Sequence, residues 1–253
     1  MNIKDSVVVI TGGARGLGLA IAEALAKKGA KLAIIDVDQP TLEKSCADLG
    51  AMTEEVQGYA VDITDEDMVE STFNYILEDF GRVNVLINNA GILSDGLLLK
   101  VKEGQLLEKM SLDKFQAVTN VNVNGTFLCG REAALAMIAS EQQGLIINMS
   151  SLARSGNIGQ TNYAASKAAV ASMSCGWAQE LARYNIRSVA MAPGVMKTDM
   201  TAAMKPQVLE RLEQAIPSKR LGEPKEVAST IEFIIENDYI NGRIIEVDGG
   251  LRF

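Results

Sequence analysis

The chain repeats one pattern, in which a short run of apolar, mostly β-branched residues is followed by a segment with apolar residues every three or four positions. Uninterrupted apolar runs predict strands buried on both faces of a sheet, and the longer period predicts helices packed against it. The predicted strands cover residues 7–10, 31–36, 56–61, 83–87, 144–151, 186–192 and 243–247. This alternation predicts an α/β fold, a doubly wound sheet of about seven parallel strands with helices on both faces.

A glycine-rich turn, residues 11–18, follows the first predicted strand and precedes the first helix. A helix start carries unpaired backbone N–H groups and partial positive charge, and glycines let a bound anion approach the backbone closely. The turn is therefore a candidate diphosphate site made of Gly12, Arg15, Gly16, Leu17 and Gly18. Its spacing, T-G-x-x-x-G-x-G, differs from the more common G-x-G-x-x-G, and the same glycines could serve packing alone.

Composition and charge narrow the possible classes of protein. With 253 residues, 47% of them hydrophobic, the chain can bury one large core, so we expect a single domain over residues 1–253. The net charge of −8 argues against a nucleic-acid partner. The sequence has no apolar stretch long enough to cross a bilayer and no signal-peptide pattern, which predicts a cytoplasmic protein without a membrane partner.

The sequence contains no histidine and has three widely spaced cysteines. The commonest metal ligand and histidine-based catalysis are thereby excluded, and the cysteine spacing fits neither a zinc site nor a disulfide framework. We therefore expect no metal site. Acid–base chemistry near neutral pH must come from a carboxylate, a lysine, a cysteine or a tyrosine with a shifted pKa.

Two motifs give the chain its resemblance to a known family. The glycine turn and the N-N-A-G that ends the fourth predicted strand resemble the short-chain dehydrogenase/reductase family, whose members have a single-domain Rossmann-type fold. The resemblance covers essentially the whole chain and implies an NAD(P)-dependent oxidoreductase. Beyond the glycine turn, the implied cofactor-binding residues are Asp36, Asp62, Ile63, Asn89, Ala90, Gly91, Tyr163, Lys167, Pro193, Gly194, Val195 and Thr198.

Two residues give opposite indications about the cofactor. Asp36 ends the second predicted strand, where a carboxylate can accept both ribose hydroxyls and would repel a 2′-phosphate, which favours NAD. Arg15 lies inside the glycine turn, and the resemblance implies that an arginine there can bind a 2′-phosphate, which favours NADP. Because like-charge repulsion is hard to screen in a partly buried pocket, we predict NAD.

The resemblance also implies a catalytic tetrad of Asn122, Ser151, Tyr163 and Lys167. Tyr163 and Lys167 are four residues apart and would share one face of a helix. The Lys167 ammonium and a nicotinamide ring would lower the pKa of Tyr163, Ser151 would polarise the substrate oxygen, and Asn122 would hold a water at a helix kink. The family's usual spacing to the tyrosine favours Ser150 instead, whereas the strand motif favours Ser151.

Two further segments are expected to lie near the substrate. Residues 97–110 predict a β-hairpin insertion with a Glu103-Gly104 turn, which would cover part of the site, form a subunit contact or be an inert surface insertion. Residues 194–218 predict a lid over the substrate, with Leu209, Leu212 and Ile216 on its apolar underside. A helical hairpin packed for stability would give the same pattern.

The motifs R-L-G-E-P-K-E-V-A and A-P-G-V-M-K-T-D-M resemble those of 3-oxoacyl thioester reductases. This resemblance implies a substrate carried on acyl-carrier protein or coenzyme A, and a homotetramer with the last two helices and the final strand at its interfaces. The turn that begins at Ser140 lacks the cation that carrier-protein reductases often have, which weakens that assignment. The alternatives are a dehydrogenase of another secondary alcohol or polyol, and a catalytically silent NAD-binding protein.

Overall fold

A seven-stranded parallel sheet forms the centre of the molecule, in a computed structural model that describes residues 1–198, 201 and 206–252. Its strands are β1 (Val7–Thr11), β2 (Lys31–Asp36), β3 (Val56–Ala60), β4 (Val85–Asn88), β7 (Gly144–Met149), β8 (Ile186–Pro193) and β9 (Ile244–Val247). They lie in the order β3-β2-β1-β4-β7-β8-β9, and all neighbours are parallel. The predicted fold class is confirmed, and the strand order reverses between β1 and β4, where a ligand crevice is expected.

Helices cover both faces of the sheet. They are α1 (Gly16–Lys27), α2 (Gln39–Gly50), α3 (Glu66–Phe80), α4 (Leu112–Thr119), α5 (Thr126–Ala139), α6 (Thr161–Glu180), α7 (Pro206–Ala215) and α8 (Pro224–Glu236). Successive strand residues point to opposite faces, so Val8 and Ile10 pack in one core with α1, α2 and α8, whereas Val9 packs in the other with α3 and α5. None of the helices in the described ranges is both long and apolar enough to cross a membrane.

Burial differs between the central and the edge strands. Every residue of β1, β4, β7 and β8 is buried, whereas β3 and β9 at the two edges include exposed residues. The strands that the sequence predicts to be buried, residues 7–10, 31–36 and 83–87, correspond to β1, β2 and β4, in which every residue is buried except the half-buried Lys31 at the start of β2. The predicted strand 144–151 ends early, since Ser151 leaves the sheet and accepts a hydrogen bond from Ala153 N to cap a short 3₁₀ turn.

A π-helical turn, Asn120–Gly125, joins α4 to α5 in one continuous helical segment. Asn122 and Asn124, poor residues for a helix interior, predict a local irregularity, and the structure has one at that position. Gly125 lets this turn pack against the Ile63 side chain, since a Cβ on residue 125 would lie 2.6 Å from Ile63 Cδ1. The turn buries Asn122 beneath the carboxyl edge of the sheet.

The strands β5 (Leu99–Lys102) and β6 (Gln105–Lys109) form an antiparallel hairpin separate from the main sheet. Glu103 and Gly104 connect them with φ angles of 52° and 80°, the left-handed pair that a tight hairpin turn requires. All residues of both strands are exposed.

We expect Gly18→Ala to lower the free energy of unfolding by about 2–3 kcal/mol, because the backbone must move to avoid overpacking. A Cβ on Gly18 would lie 2.2 Å from the Gly12 carbonyl oxygen and 2.6 Å from Asn89 Nδ2. Gly50→Ala is the matched control, since a Cβ there meets no atom within 4 Å, and it should stay within about 1 kcal/mol of the parent. Urea unfolding measures the free energy of unfolding of both variants. Equal denaturation midpoints for Gly18→Ala and Gly50→Ala would contradict the packing role of Gly18.

Candidate active site

The glycine turn opens a concave surface at the start of α1. Gly12 and Gly16 have φ angles of 61° and 56°, which L side chains rarely adopt. A Cβ on Gly12 would lie 2.9 Å from Ala90 Cα, whereas one on Gly16 would meet no atom within 4 Å. Gly12 therefore lets the turn pack against the end of β4, and Gly16 leaves open space at the helix N-terminus, where an anion can bind.

Asp36 is held in place at the end of β2. Its carboxylate accepts hydrogen bonds from Ala14 N at 3.1 Å and from Asp38 N at 3.2 Å, and the residue is buried. Arg15 has an exposed side chain, and its guanidinium lies 4.0 Å from the Asp38 carboxylate. The acidic group is therefore fixed beside the turn, while the basic group extends outward to another carboxylate.

Asparagines fix the end of β4 relative to its neighbours. Asn88 Nδ2 donates to Asn148 Oδ1 at 2.9 Å, which links β4 to β7, as expected for a residue that stabilises the sheet. Asn89 Nδ2 donates to the Gly12 carbonyl at 2.9 Å, and the Thr11 hydroxyl accepts from the backbone N–H of Asn89 and of Ala90, both at 3.1 Å. The N-N-A-G segment thus forms one wall against the glycine turn.

A cavity of about 870 Å³ joins the glycine turn to the N-terminal part of α6. Among the predicted residues, its lining contains Gly12, Arg15, Gly16, Leu17, Asp36, Asp62, Ile63, Asn89, Ala90, Gly91, Ser151, Tyr163, Lys167, Pro193, Gly194, Val195 and Thr198. Gly18 and Asn122 lie behind that lining. A cavity of this size, with a helix N-terminus at one end and a buried lysine and a half-buried tyrosine at the other, fits a dinucleotide cofactor.

Tyr163 and Lys167 share one face of α6 and meet at this cavity. Lys167 is buried, and its Nζ donates to the Met149 carbonyl at 2.7 Å and lies 5.7 Å from the centre of the Tyr163 ring. A Cβ on Gly91 would lie 3.4 Å from the same Nζ. The ammonium is thus held between the end of β7 and the small residue after β4, with N–H groups left for a ligand.

The two candidate serines have different surroundings. The Ser151 hydroxyl lines the cavity beside Tyr163 and lowers the pKa of that tyrosine, and it accepts a hydrogen bond from Ala153 N at 3.1 Å. Ser150 lines the cavity too, but it is buried, and its hydroxyl donates to the Lys167 carbonyl at 2.7 Å. Ser151 is therefore the hydroxyl that faces Tyr163, and Ser150 links the end of β7 to α6.

Asn122 connects the π-helical turn to two parts of the site. Its Oδ1 accepts from Ile92 N at 2.8 Å, and its Nδ2 donates to the Ile92 carbonyl at 3.1 Å and to Ser166 Oγ at 3.0 Å. Ser166 Oγ in turn donates to the Tyr163 carbonyl at 2.7 Å. The asparagine thereby joins the segment after β4 to the helix that carries the tyrosine.

Burial is the main influence on the pKa values of both central groups. It raises the pKa of Tyr163, an effect that the Ser151 hydrogen bond opposes and the Asp95 carboxylate reinforces. It lowers the pKa of Lys167 to about 8. We expected the Lys167 ammonium to lower the pKa of Tyr163, but the group that lowers this pKa is Ser151, and burial outweighs it. The effect of a nicotinamide ring stays a prediction.

Gln160 and Asp95 are residues of the site that the sequence analysis missed. Gln160 lines the cavity, and its Nε2 donates to the two Asp95 carboxylate oxygens at 3.1 and 3.2 Å. Gly96 N donates to the Gly159 carbonyl at 2.8 Å beside them. These bonds join the segment that leads into the hairpin to the residues before Tyr163, and no motif in the sequence pairs two such distant positions.

The predicted lid, residues 194–218, lies partly outside the described residues, which omit 199, 200 and 202–205. In its described part, Ile216 is buried with Leu152 and Leu251, while Leu209 and Leu212 are half-buried against them. Leu212 also lines the cavity. These contacts fit both a lid and a helix packed for stability, so the lid stays a prediction.

Known proteins resemble this chain over nearly its whole length. A family model described as enoyl-(acyl carrier protein) reductase matches residues 12–252. The chain is 37% identical to a 3-oxoacyl-(acyl-carrier-protein) reductase of Thermotoga maritima, over 99% of each chain. It is 36% identical to the 3-oxoacyl-(acyl-carrier-protein) reductase of Homo sapiens, over 98% of each. It is 38% identical to the 3-hydroxyacyl-CoA dehydrogenase type-2 of Drosophila melanogaster, over 99% of this chain and 98% of the relative.

The chain therefore belongs to the short-chain dehydrogenase/reductase family, as its motifs indicated. It is an oxidoreductase that uses a nicotinamide cofactor and interconverts a ketone and a secondary alcohol. The glycine turn and the residues around Tyr163 fit such a cofactor and such a reaction.

We expect Lys167→Met to stabilise the fold below pH 8 and to lose this advantage as the pH rises. The pKa of Lys167 is about 8 in the folded protein against 10.5 for an ordinary lysine, so the unfolded chain binds more protons between these values. The wild-type free energy of unfolding should therefore rise relative to the variant by about 3 kcal/mol between pH 8 and pH 10.5.

Urea unfolding at pH 6, 8, 9 and 10.5 measures this difference. The control is Lys44→Met, an exposed position on α2, which should change the free energy of unfolding by less than about 0.5 kcal/mol at every pH. A difference between wild type and Lys167→Met that does not vary with pH would show that burial does not depress the Lys167 pKa.

Proposed function

We propose that the protein interconverts a 3-oxoacyl thioester and the corresponding 3-hydroxyacyl thioester. The observation that carries this proposal is the pair of hydroxyl groups, on Ser151 and Tyr163, that meet in the cavity opened by the glycine turn. Two adjacent hydroxyls can bind a single carbonyl oxygen. The names of the relatives from Thermotoga maritima and Drosophila melanogaster, a 3-oxoacyl reductase and a 3-hydroxyacyl-CoA dehydrogenase, support this class of substrate.

In the reductive direction, the Ser151 and Tyr163 hydroxyls bind and polarise the 3-oxo oxygen. The nicotinamide cofactor, when bound, supplies the hydride that adds to the carbonyl carbon. Tyr163 gives its hydroxyl proton to the oxygen, so the carbonyl π bond is replaced by one new C–H bond and one new O–H bond. In the oxidative direction Tyr163 takes that proton back.

Lys167 and Asn122 support the proton transfer. The Lys167 ammonium stabilises the tyrosinate, and a pKa of about 8 allows it to pass a proton on near neutral pH. Both N–H groups of the Asn122 amide are already bonded, to Ile92 and to Ser166, so a relay water would donate to an oxygen of Asn122. The asparagine also holds the helix turn that supports this water site.

NAD is the cofactor that the charges around the glycine turn favour. The Asp36 carboxylate is held by two backbone N–H groups and lines the cavity, so it cannot easily turn away from a 2′-phosphate. Arg15, which could bind that phosphate, is exposed and lies near Asp38. Repulsion from a fixed, buried carboxylate outweighs attraction to a mobile, solvated arginine.

Coenzyme A is the thioester carrier that we favour over acyl-carrier protein. The Drosophila melanogaster relative is by name a CoA dehydrogenase, and the chain itself has a net charge of −8, which disfavours a second acidic protein. A homotetramer stays a proposal from the resemblance, supported by the exposed Phe233 on α8 and Ile244 on the edge strand β9.

The purified enzyme should reduce acetoacetyl-coenzyme A with NADH. We expect Ser151→Ala to lower kcat by about 100-fold, because one of the two donors to the developing oxyanion is lost. Ser150→Ala is the matched control, and it should keep kcat within about threefold because that hydroxyl bonds only the Lys167 carbonyl. The rate at which NADH absorbance decreases at steady state gives kcat for both variants.

Two other outcomes would change the conclusion. Loss of activity in Ser150→Ala but not in Ser151→Ala would reverse the roles of the serines. No turnover of acetoacetyl-coenzyme A by an enzyme that binds NADH would overturn the thioester proposal and favour another secondary alcohol, a polyol or a silent NAD-binding protein. Crotonyl-coenzyme A tests the enoyl reductase description of the family model, and we expect no turnover of it.

We expect Asp36→Asn to raise the kcat/KM ratio of NADPH over NADH by about tenfold or more, because the charge that repels a 2′-phosphate is removed. Asp38→Asn is the control, since it keeps a residue able to cap α2 but removes the charge beside Arg15. A larger gain for NADPH in Asp38→Asn than in Asp36→Asn would show that Arg15 decides the cofactor.

A further inference from the structure

The hairpin formed by β5 and β6 has two chemically different faces. Side chains alternate along β5, and residues that pair directly across the strands share a face. The pairing shifts register between Lys100 and Val101, so Leu107 on β6 has no directly paired residue and is assigned to neither face. By the observed pairing, one face carries Leu99, Val101, Leu106 and Lys109. The other carries Lys100, Lys102, Gln105 and Glu108, and is called the polar face below. Both faces are exposed along their whole length.

The hairpin begins at the rim of the active-site cavity. Ile92 and Leu93 line that cavity, and three residues further on Gly96 is bonded to Gly159. Gly96 also forms a β-bridge with Gln160, which lines the cavity as well. The first strand starts at Leu99, so a ligand that extends out of the cavity on this side passes the hairpin.

The polar face is locally positive in a chain whose net charge is −8. It carries two lysines against one glutamate, Glu108. None of the ion pairs among the described residues involves Lys100 or Lys102. Their ammonium groups are therefore available to an external anion, and Gln105 offers a further N–H donor.

We infer that the polar face of the hairpin binds the phosphate groups of a coenzyme A thioester whose acyl end lies beside Tyr163. This inference rests on the proposed function, which supplies the thioester. Coenzyme A carries its charge on phosphates remote from the thioester, and lysines bind phosphate as point charges. The insertion thereby gives an acidic protein a local attraction for an anionic substrate.

The test compares two substrates that share the acetoacetyl-pantetheine arm, of which the coenzyme A ester adds a phosphorylated adenosine and the pantetheine ester has no phosphate. Acetoacetyl-coenzyme A and acetoacetyl-pantetheine present the same reacting group. We expect the double variant Lys100→Gln/Lys102→Gln to raise KM for the coenzyme A ester about three- to tenfold at low salt, with kcat unchanged and KM for the pantetheine ester unchanged. The rise should shrink at high ionic strength, because salt screens exposed charges.

Two further variants of the hairpin isolate the polar face. Lys109→Gln removes the same charge from the opposite face and should leave both KM values unchanged. Glu108→Gln removes the opposing charge from the polar face and should lower KM for the coenzyme A ester. NADH binding, measured by its fluorescence, should be equal in all variants and shows that each is folded.

The outcomes separate the inference from the proposed function. Equal KM values for wild type and the double variant, or the same rise with Lys109→Gln, would overturn the inference while leaving the proposed function intact. A rise for both esters would also overturn it, since the pantetheine ester has no phosphate. Turnover of neither ester by the wild type would overturn the proposed function and the inference with it.

Discussion

A chain of buried hydrogen bonds fixes α6 against the carboxyl ends of the central strands. Asn88 donates to Asn148, and Asn148 Nδ2 donates to Ser174 Oγ on α6, both at 2.9 Å. Tyr163 and Lys167 precede Ser174 on that helix by eleven and seven residues, about three turns and two turns, so all three share one face. An unpaired amide in this core would cost about 1–3 kcal/mol, which makes rotation of the helix unfavourable. The direction of the Tyr163 and Lys167 side chains is thus set from inside the sheet.

The same rigidity makes the buried charge of Lys167 possible. The ammonium has one protein acceptor, the Met149 carbonyl, and burial lowers its pKa to about 8. A side chain with freedom to move would turn toward water, but α6 is held at both ends of this region, by Ser174 and by the Ser150 bond to the Lys167 carbonyl. The fold therefore bears an electrostatic cost at the point where, under the proposed function, Tyr163 loses and regains a proton, a common relation between stability and activity.

The sequence predicts the fold well because its signals are local. Uninterrupted β-branched runs, the glycine turn, the Glu103-Gly104 hairpin turn and the asparagines of the π-helical turn each determine their own segment. The choice between Ser150 and Ser151 is not local, since it depends on where the chain leaves β7 and on which hydroxyl then faces α6. Burial of the edge strands and the pKa of Tyr163 likewise depend on packing around the complete sheet. The Gln160–Asp95 contact joins two loops that no periodicity relates.

Charge distribution connects the two ends of the cavity. At the glycine-turn end, under the proposal that the cofactor is NAD, the fixed Asp36 carboxylate repels an additional phosphate on the ribose, and the helix N-terminus beside it binds the diphosphate. At the Tyr163 end, the hairpin lysines lie outside the cavity and leave its apolar lining to the acyl group. Under the two proposals, Asp36 repels an additional phosphate at one end of the cavity, and the hairpin lysines attract phosphate outside the other end. The cofactor and the substrate therefore place their phosphates in different parts of the site. A chain with a net charge of −8 repels anions at long range, so binding a phosphate requires cations close to it. Under the further inference, the hairpin insertion supplies these cations without changing the residues around Tyr163.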